Sequence, residues 1–264
     1  MTRTALALLL ATSVSAQDLE IHFLEVGHGN AALVVGPDGT TVLIDGGVTG
    51  QGDITILPYM SSLGLTELTY GISTHYHVDH LGGLDEVYDQ IGGPAIAFDR
   101  GDNQPWMTTQ YDEYLVSVAG VRATPTVGQT LALGNGATLE FVCLNGDWSG
   151  GSVDPHLFAQ GENGSSVGVI IRYGDFDAWI AGDLTGGGEG TADIESLVRF
   201  DIGQVEVVLA GHHGSETSSN AAFVDTLDPS LVIYSCGLNN AGGVPDEAVI
   251  ERWNAPDASR VVWS

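Results

Sequence analysis

The sequence predicts an α/β fold, an αββα sandwich in which two mixed β-sheets pack face to face with helices on their outer faces. Two observations carry that expectation. Each half of the chain opens with short apolar runs joined by tight turns, then continues with strands separated by helical segments. No repeat, low-complexity tract or linker interrupts the 264 residues, so residues 17–264 read as one domain.

The elements follow in order. "LEIHFLEV", "NAALVVG" and "TTVLIDGG" alternate in strand fashion across a Gly-containing turn and "PDG", an antiparallel meander that ends at Asp45. "DITILPYMSSLGL" spaces its apolar residues for a helix, interrupted at Pro58 and stopped at Gly64. "ELTYGIST" is a buried strand delivering the chain to His75, and "LGGLDEVYDQIGG" is a helix between glycines. A strand at "PAIAF", a helix around Thr108 to Val118, and strands near Val121 to Pro125 and at "TLEFVCL" occupy the middle. Residues 145–166, rich in Gly, Ser and Asp, read as an unstructured loop. "SVGVIIRYG" and "FDAWIAGD" form a hairpin that turns at Gly174 and Asp175 and exits at Asp183. A Gly-rich loop leads to a helix near Ala192 to Arg199, then to the buried strand "VEVVLAGHHGS", which reaches His212 and His213. A helix from about Asn220, the strand "LVIYSCG", a helix after Pro245 and the edge strand "RVVWS" complete the chain.

One stretch concentrates the chemistry. "STHYHVDHLGG" places His75, His77, Asp79 and His80 within six positions, after a strand and before two glycines. In an extended segment, residues two apart point the same way, so His75 and His77 address one point while Asp79 and His80 turn toward a second nearby. Imidazole and carboxylate suit zinc, and also manganese or iron, so the constellation points to a two-metal site. Four such side chains at a strand end bring no packing benefit and would each need a partner if buried. Gly82 and Gly83 let the next helix start tightly against the loop.

The run His75, His77, Asp79, His80 resembles the His-x-His-x-Asp-His signature of the metallo-β-lactamase superfamily. More narrowly, "FLEVGHGNAALVV", "VLIDGG", "WIAGD" and "LAGHHGSETSS", in that order, resemble the hydrolase domain of ComEC-type competence proteins and its free-standing relatives, from about Glu20 to the C-terminus. The resemblance implies the metallo-β-lactamase fold and one or two Zn2+ ions, with Mn2+ or Fe as alternatives. It implies that His75 and His77 hold the first ion, that Asp79 and His80 hold the second, and that Asp183 bridges them. His213, or else His212, completes the second site and leaves the other imidazole facing substrate, so Asp79, Asp183 and His212 form the implied catalytic set. Asp45 is implied to hydrogen-bond to the site instead of ligating.

The chain also departs from the pattern. The third histidine expected for the first ion is missing; His156, in the loop, is the only one near, and Asn163 stands in its place. The first ion is therefore expected to be weakly held, and one-metal chemistry stays open. In the first turn, Glu25, His28 and Asn30 replace the usual Asp, Gln and Asp, and Gly243 and Val244 stand where the branch has a histidine. His28 reads as pocket rim and His22 as scaffold, while Trp106, Tyr111 and Trp148 are candidate pocket walls. "SETSSN" reads as a helix start capped by Ser or Asn, not as a nucleophile.

The implied activity is hydrolysis of a phosphodiester by metal-bound hydroxide. A β-lactamase- or lactonase-type amide or ester hydrolase, and a metal-stabilised binding protein without catalysis, are the alternatives. A formal charge of −27, with seven Arg and no Lys, repels polyanions, which disfavours duplex nucleic acid and leaves a small-molecule or phosphodiester substrate. Residues 1–16 have a basic residue near the start, a short apolar stretch, and Ser15 and Ala16 at the end, the pattern of a cleaved secretory signal peptide. No cysteine follows the cut, so the expected location is periplasmic or extracellular. No later stretch is apolar and long enough to span a membrane. Cys143 and Cys236 are compatible with a disulfide or with two separate buried thiols. Nothing in the sequence specifies an oligomeric state.

Overall fold

In the computed structural model, which describes residues 18–102, 106–237, 242–255 and the backbone of 261–263, the first half of the chain forms a six-stranded mixed sheet. The leader-like residues 1–16 lie outside the described residues. Strands β1 (Glu20–Phe23), β2 (Ala32–Val35) and β3 (Thr41–Ile44) are the expected antiparallel meander. A π-helical turn, Gly52–Ile56, runs into α1 (Leu57–Ser62). Pro58 sits in the first turn of α1, where a missing N–H costs little, so it does not interrupt the helix as expected. Next come β4 (Tyr70–Ile72), α2 (Val78–Leu81), α3 (Leu84–Ile91), β5 (Ile96–Phe98), α4 (Thr109–Ser117) and β6 (Arg122–Ala123), the strands adding in parallel from β3 outward.

The second half repeats this plan. A strand not expected from the sequence, β7 (Thr130–Gly134), pairs antiparallel with β8 (Ala137–Cys143) across Asn135 and Gly136, both at positive φ. Residues 145–166 are ordered, against expectation. They contain the two-residue strands β9 (Asp147–Trp148) and β10 (Gly151–Ser152), a 3-10 turn at Pro155–Leu157, and α5 (Gly161–Gly164). The hairpin of β11 (Gly168–Tyr173) and β12 (Phe176–Ile180) turns at Gly174 and Asp175 as expected. It is followed by α6 (Glu195–Ile202), β13 (Val207–Leu209), α7 (Ala221–Leu227), β14 (Leu231–Ile233), α8 (Glu247–Asn254) and β15 (Val261–Trp263). The second sheet has seven strands in the order β15-β14-β13-β12-β11-β8-β7, parallel from β12 to β15 and antiparallel elsewhere, with β15 at the edge.

Strand alternation decides what each face buries. Val34, Val42, Ile44 and Ile72 of the first sheet meet Leu139, Phe141, Val169, Ile171 and Ile180 of the second, forming the core between the sheets. The intervening residues point outward: Leu33 and Leu43 pack under Met60, Leu84, Val87 and Tyr114, while Ile170, Trp179 and Val208 pack under Val198, Phe223, Leu227 and Trp253. The result is the four-layer arrangement of helices, sheet, sheet and helices. Cys143 and Cys236 are buried and free, so the disulfide alternative is not realised. No helix among the described residues is long and apolar enough to cross a membrane.

Candidate metal centre

The C-terminal ends of β3, β4, β12 and β13 converge at one edge of the sandwich, where open α/β sheets place their ligands. Asp45 leaves β3 at φ 58, a left-handed conformation that Asp tolerates better than most residues. Its fully buried carboxylate accepts hydrogen bonds from Thr74 N at 2.7 Å, Thr74 Oγ1 at 2.8 Å and His80 Nδ1 at 2.8 Å. With Nδ1 donating to Asp45, His80 presents the Nε2 lone pair to the site. Asp45 is thus bonded to a candidate ligand and belongs to none of the groups that could hold an ion. Gly83 lets this loop close: a Cβ there would lie 2.3 Å from the carbonyl oxygen of Gly46.

Two groups of donors face the cavity. In the first, His75 Nε2 lies 3.0 Å from His77 Nδ1 and 3.6 Å from Asp183 Oδ2. In the second, His80 Nε2 lies 3.0 Å from Asp183 Oδ1 and 3.3 Å from His213 Nε2, which lies 3.2 Å from Asp79 Oδ2. The six sequence-expected ligand residues are therefore brought together, and Asp183 turns one oxygen toward each group.

The turn at Gly211–Gly214 settles which of the two adjacent histidines lies where. His212 and His213 both adopt left-handed conformations, φ 48 and 56, which swing their rings to different sides of Asp183. His213 is buried and hydrogen-bonds through Nδ1 to Ser235 O at 2.7 Å, leaving Nε2 for the second group. His212 stands across Asp183, with Nδ1 2.5 Å from Thr217 Oγ1 and Nε2 3.2 Å from Asn163 Nδ2. Asn163 is buried at the expected gap, and its Oδ1 has no hydrogen-bond partner. His156 bonds through Nε2 to Ser165 Oγ at 3.1 Å and lines the cavity without joining either group.

The electrostatics favour a cation. Burial opposes ionisation of Asp183, but His80, His213, His212 and His75 around it outweigh burial and hold its carboxyl well below the usual carboxylate range. Asp79 is likewise lowered; burial opposes ionisation there too, but the His213 hydrogen bond and the nearby His80 outweigh it. Burial pushes His75, His77 and His212 below the ordinary histidine value. At His80 burial again disfavours charge, yet Asp183 and Asp45 together lift it well above that value. A proton drawn to His80 takes the place of the positive charge that the buried carboxylates demand.

The donor set fits divalent ions. Around a tetrahedral zinc with bonds of about 2.0–2.1 Å, neighbouring ligand atoms sit roughly 3.3 Å apart. The separations here run from 3.0 to 3.6 Å, with His80 Nε2 to Asp79 Oδ2 longer at 4.0 Å. Asp183 Oδ1 is buried with no well-directed hydrogen bond, its nearest polar atoms being His80 Nε2 at 3.0 Å and His213 Nε2 at 3.6 Å, surroundings that suit a ligand oxygen.

The donors border a cavity of about 690 Å³, with Trp106 against His77 on one wall and Gln160, Asn163 and His212 on another. Of the other aromatic wall candidates, Tyr111 instead bonds to Asp102 and Trp148 packs against the second-sheet core. His22 is scaffold, hydrogen-bonded to Tyr59 Oη at 3.0 Å. Asn220, in "SETSSN", caps α7 by accepting from Phe223 N, as the helix-start reading expects.

Two contacts are not foreseen from the sequence. His28 lines the cavity, as the rim reading expects, but it also reaches the second group, its Nε2 3.5 Å from Asp79 Oδ2. Glu162 is buried beneath the first group, pairing with Arg100 at 2.7 Å and accepting from Tyr76 N at 2.8 Å. The only sequence signal for His28 was its place between two glycines; for Glu162 there was none.

The profile of the metallo-β-lactamase superfamily matches residues 24–237, a span that contains every candidate ligand of the centre. The chain is 25% identical to Recombination protein 2 of Haemophilus influenzae over 93% of its own length and 28% of that protein's. It is 25% identical to ComE operon protein 3 of Bacillus subtilis over 94% of its length and 32% of that protein's. The chain thus spans about a third or less of these curated relatives. Among solved structures, CmlA, a diiron β-hydroxylase from Streptomyces venezuelae, superimposes with a TM-score of 0.56 at 17% identity, covering 94% of this chain and 53% of CmlA, a likeness of fold.

Proposed function

The chain belongs to the metallo-β-lactamase superfamily and is of the ComEC type, and from that premise we propose that it is an exported, metal-dependent phosphodiesterase. One observation carries the metal-dependent reading: the Asp183 carboxylate is shared between two imidazole-rich groups, one oxygen 3.6 Å from His75 Nε2 and the other 3.0 Å from His80 Nε2. In this reading His75 and His77 would hold one ion, Asp79, His80 and His213 would hold the other, and the Asp183 carboxylate would be shared by both. Divalent ions there would supply a water of lowered pKa, about 7 against about 15.7, and polarisation of a phosphoryl oxygen.

The protein's own groups supply orientation and proton control. Asp45 keeps the His80 proton on Nδ1. Asp79, whose carboxylate borders the cavity and stays ionised, would accept the hydrogen bond that aims an attacking water. His212 holds Nδ1 against the Thr217 hydroxyl and accepts at Nε2 from the Asn163 amide nitrogen; with that amide turned to present its unpartnered Oδ1, His212 can carry a proton on Nε2 and donate it to the leaving oxygen. The acidic chain favours a small phosphodiester or a short single strand over a duplex.

The test is a comparison of metal-stripped protein with protein reconstituted with Zn2+ or Mn2+, assayed on bis-p-nitrophenyl phosphate, nitrocefin and a lactone. Metal-dependent turnover of the phosphodiester is expected. Turnover of nitrocefin alone overturns the substrate class, and metal-raised thermal stability without turnover of any substrate favours a binding protein. N-terminal sequencing of protein recovered outside the cytoplasm is expected to begin at Gln17; an intact Met1 there contradicts signal cleavage.

A further inference from the structure

The two candidate ion sites are unequal. The first is built from His75, His77 and Asp183, with the neutral side chain of Asn163 where the superfamily pattern supplies a further imidazole. The second has Asp79, His80, His213 and a share of Asp183, and beside it stands an imidazole with no other task. His28 Nδ1 is buried with no hydrogen-bond partner, and the contact of Nε2 is Asp79 Oδ2 at 3.5 Å. One donor atom each from His28, Asp79 and His213 lie within 4.8 Å of one another, and the rings of His28 and His213 are 4.5 Å apart.

The backbone fixes His28 in this place. The turn that carries it lies against the metal loop: Asn30 N donates to Asp79 O at 3.1 Å, and Gly47 N donates to Asn30 O at 2.8 Å. Gly29, at φ 148, permits the approach, since a Cβ there would lie 2.4 Å from the Asp79 carbonyl oxygen. Ser235 ties the same turn to the other ligand, its Oγ donating to Gly29 O at 2.6 Å while its carbonyl accepts from His213 Nδ1 at 2.7 Å. His28, Asp79 and His213 are thereby held as a unit before any ion arrives.

We propose that His28 is a direct ligand of the second ion, completing a nitrogen-rich site with Asp79, His80 and His213, and that this makes the second site the tighter of the two. The inference rests on the metal-centre reading above. A site with three imidazoles favours borderline ions such as Zn2+, Co2+ or Fe2+ over Mg2+ or Ca2+. The first site thus has one imidazole fewer than the superfamily pattern and the second site one more, which gives ordered loading: second site first, first site after.

The experiment is a titration of metal-stripped wild-type, His28→Gln and His77→Ala proteins with Co2+, followed by visible absorption and by competition with a chromophoric chelator. Wild type is expected to bind in two steps. His28→Gln is expected to weaken the tight step by about 10- to 100-fold, at least the loss seen when a group merely supporting a ligand is removed, and to change its visible bands. His77→Ala is expected to remove the weak step and leave the tight bands in place. A His28→Gln titration matching wild type in both affinities and bands overturns the inference while sparing the metal centre. Loss in His28→Gln of a separate third equivalent, with both original steps intact, overturns it in favour of an additional site. No Co2+ uptake by wild type removes both the inference and the reading beneath it. The ring of His28 is 40% exposed, so its replacement should not unfold the chain, and unchanged melting of the metal-free variant is the control.

Discussion

Replacing Asp45 by Asn removes a charge with almost no change of shape, and Asn tolerates the left-handed backbone at φ 58 as well as Asp does. The substitution therefore isolates hydrogen-bond polarity. The carboxylate accepts from three donors: Thr74 N, Thr74 Oγ1 and His80 Nδ1. An amide has one accepting oxygen. Facing that oxygen toward Thr74 N satisfies the buried backbone donor but turns the NH2 group toward His80 Nδ1. His80 then meets that NH2 with its Nδ1 lone pair, moving its proton to Nε2, where an ion must bind. Ligation through Nε2 requires the proton back on Nδ1, against an N–H, at the cost of one charge-assisted hydrogen bond of about 1.5–3 kcal/mol. That corresponds to a loss of about 10- to 150-fold in affinity at the second site. Chelator-competition titration of wild type and Asp45→Asn measures it, with Asp45→Asn folding confirmed by circular dichroism. Second-site affinity within about twofold of wild type would refute the argument that Asp45 sets the tautomer of His80.

Other expectations are independent of this one. Glu162→Ala removes a buried carboxylate that bonds both Arg100 and the Tyr76 backbone, and should cost about 3–5 kcal/mol, lowering Tm by about 6–20 °C in calorimetry; a drop under about 2 °C contradicts it. Gly29→Ala drives a Cβ into the Asp79 carbonyl, and should destabilise by about 1–3 kcal/mol and weaken metal uptake, read by urea unfolding and Co2+ titration. Glu195 is fully buried, and burial lifts its carboxyl to about 8, above the ordinary 4.5. Its contribution to stability is therefore greatest below about pH 4.5 and is lost as pH rises through about 8. The stability of wild type relative to Glu195→Gln should fall between about pH 5 and pH 9; a difference independent of pH contradicts the shift.

The sequence made the sheets and most of the centre legible because the information there is local. Alternation in "LEIHFLEV" and "SVGVIIRYG" marks faces that must be buried, and His, Asp and Gly crowded at strand ends mark chemistry that packing alone does not require. What stayed hidden depends on partners distant in the chain. Residues 145–166 look like solvent-exposed loop because they are poor in apolar side chains, yet they are held by Glu162, whose partner Arg100 lies 62 positions away. His28 looked peripheral because nothing local reports that its turn bonds to the backbone of Asp79. Strand β7 shows only Leu131 and Leu133 as buried alternating positions, too short a pattern to stand out without its Asn135-Gly136 turn. Tyr111 and Trp148 looked like cavity walls by proximity to loops, whereas a hydrogen bond and core packing claim them.

The central claim, that His75, His77, Asp79, His80, Asp183 and His213 gather two divalent ions around one shared carboxylate, is tested most directly by anomalous diffraction from crystals grown with Zn2+ and collected at the zinc edge. Two peaks on either side of the Asp183 carboxylate, one against His75 and His77 and the other against His80, Asp79 and His213, are the expected result. Saturating zinc with no peak beside Asp183 would contradict it.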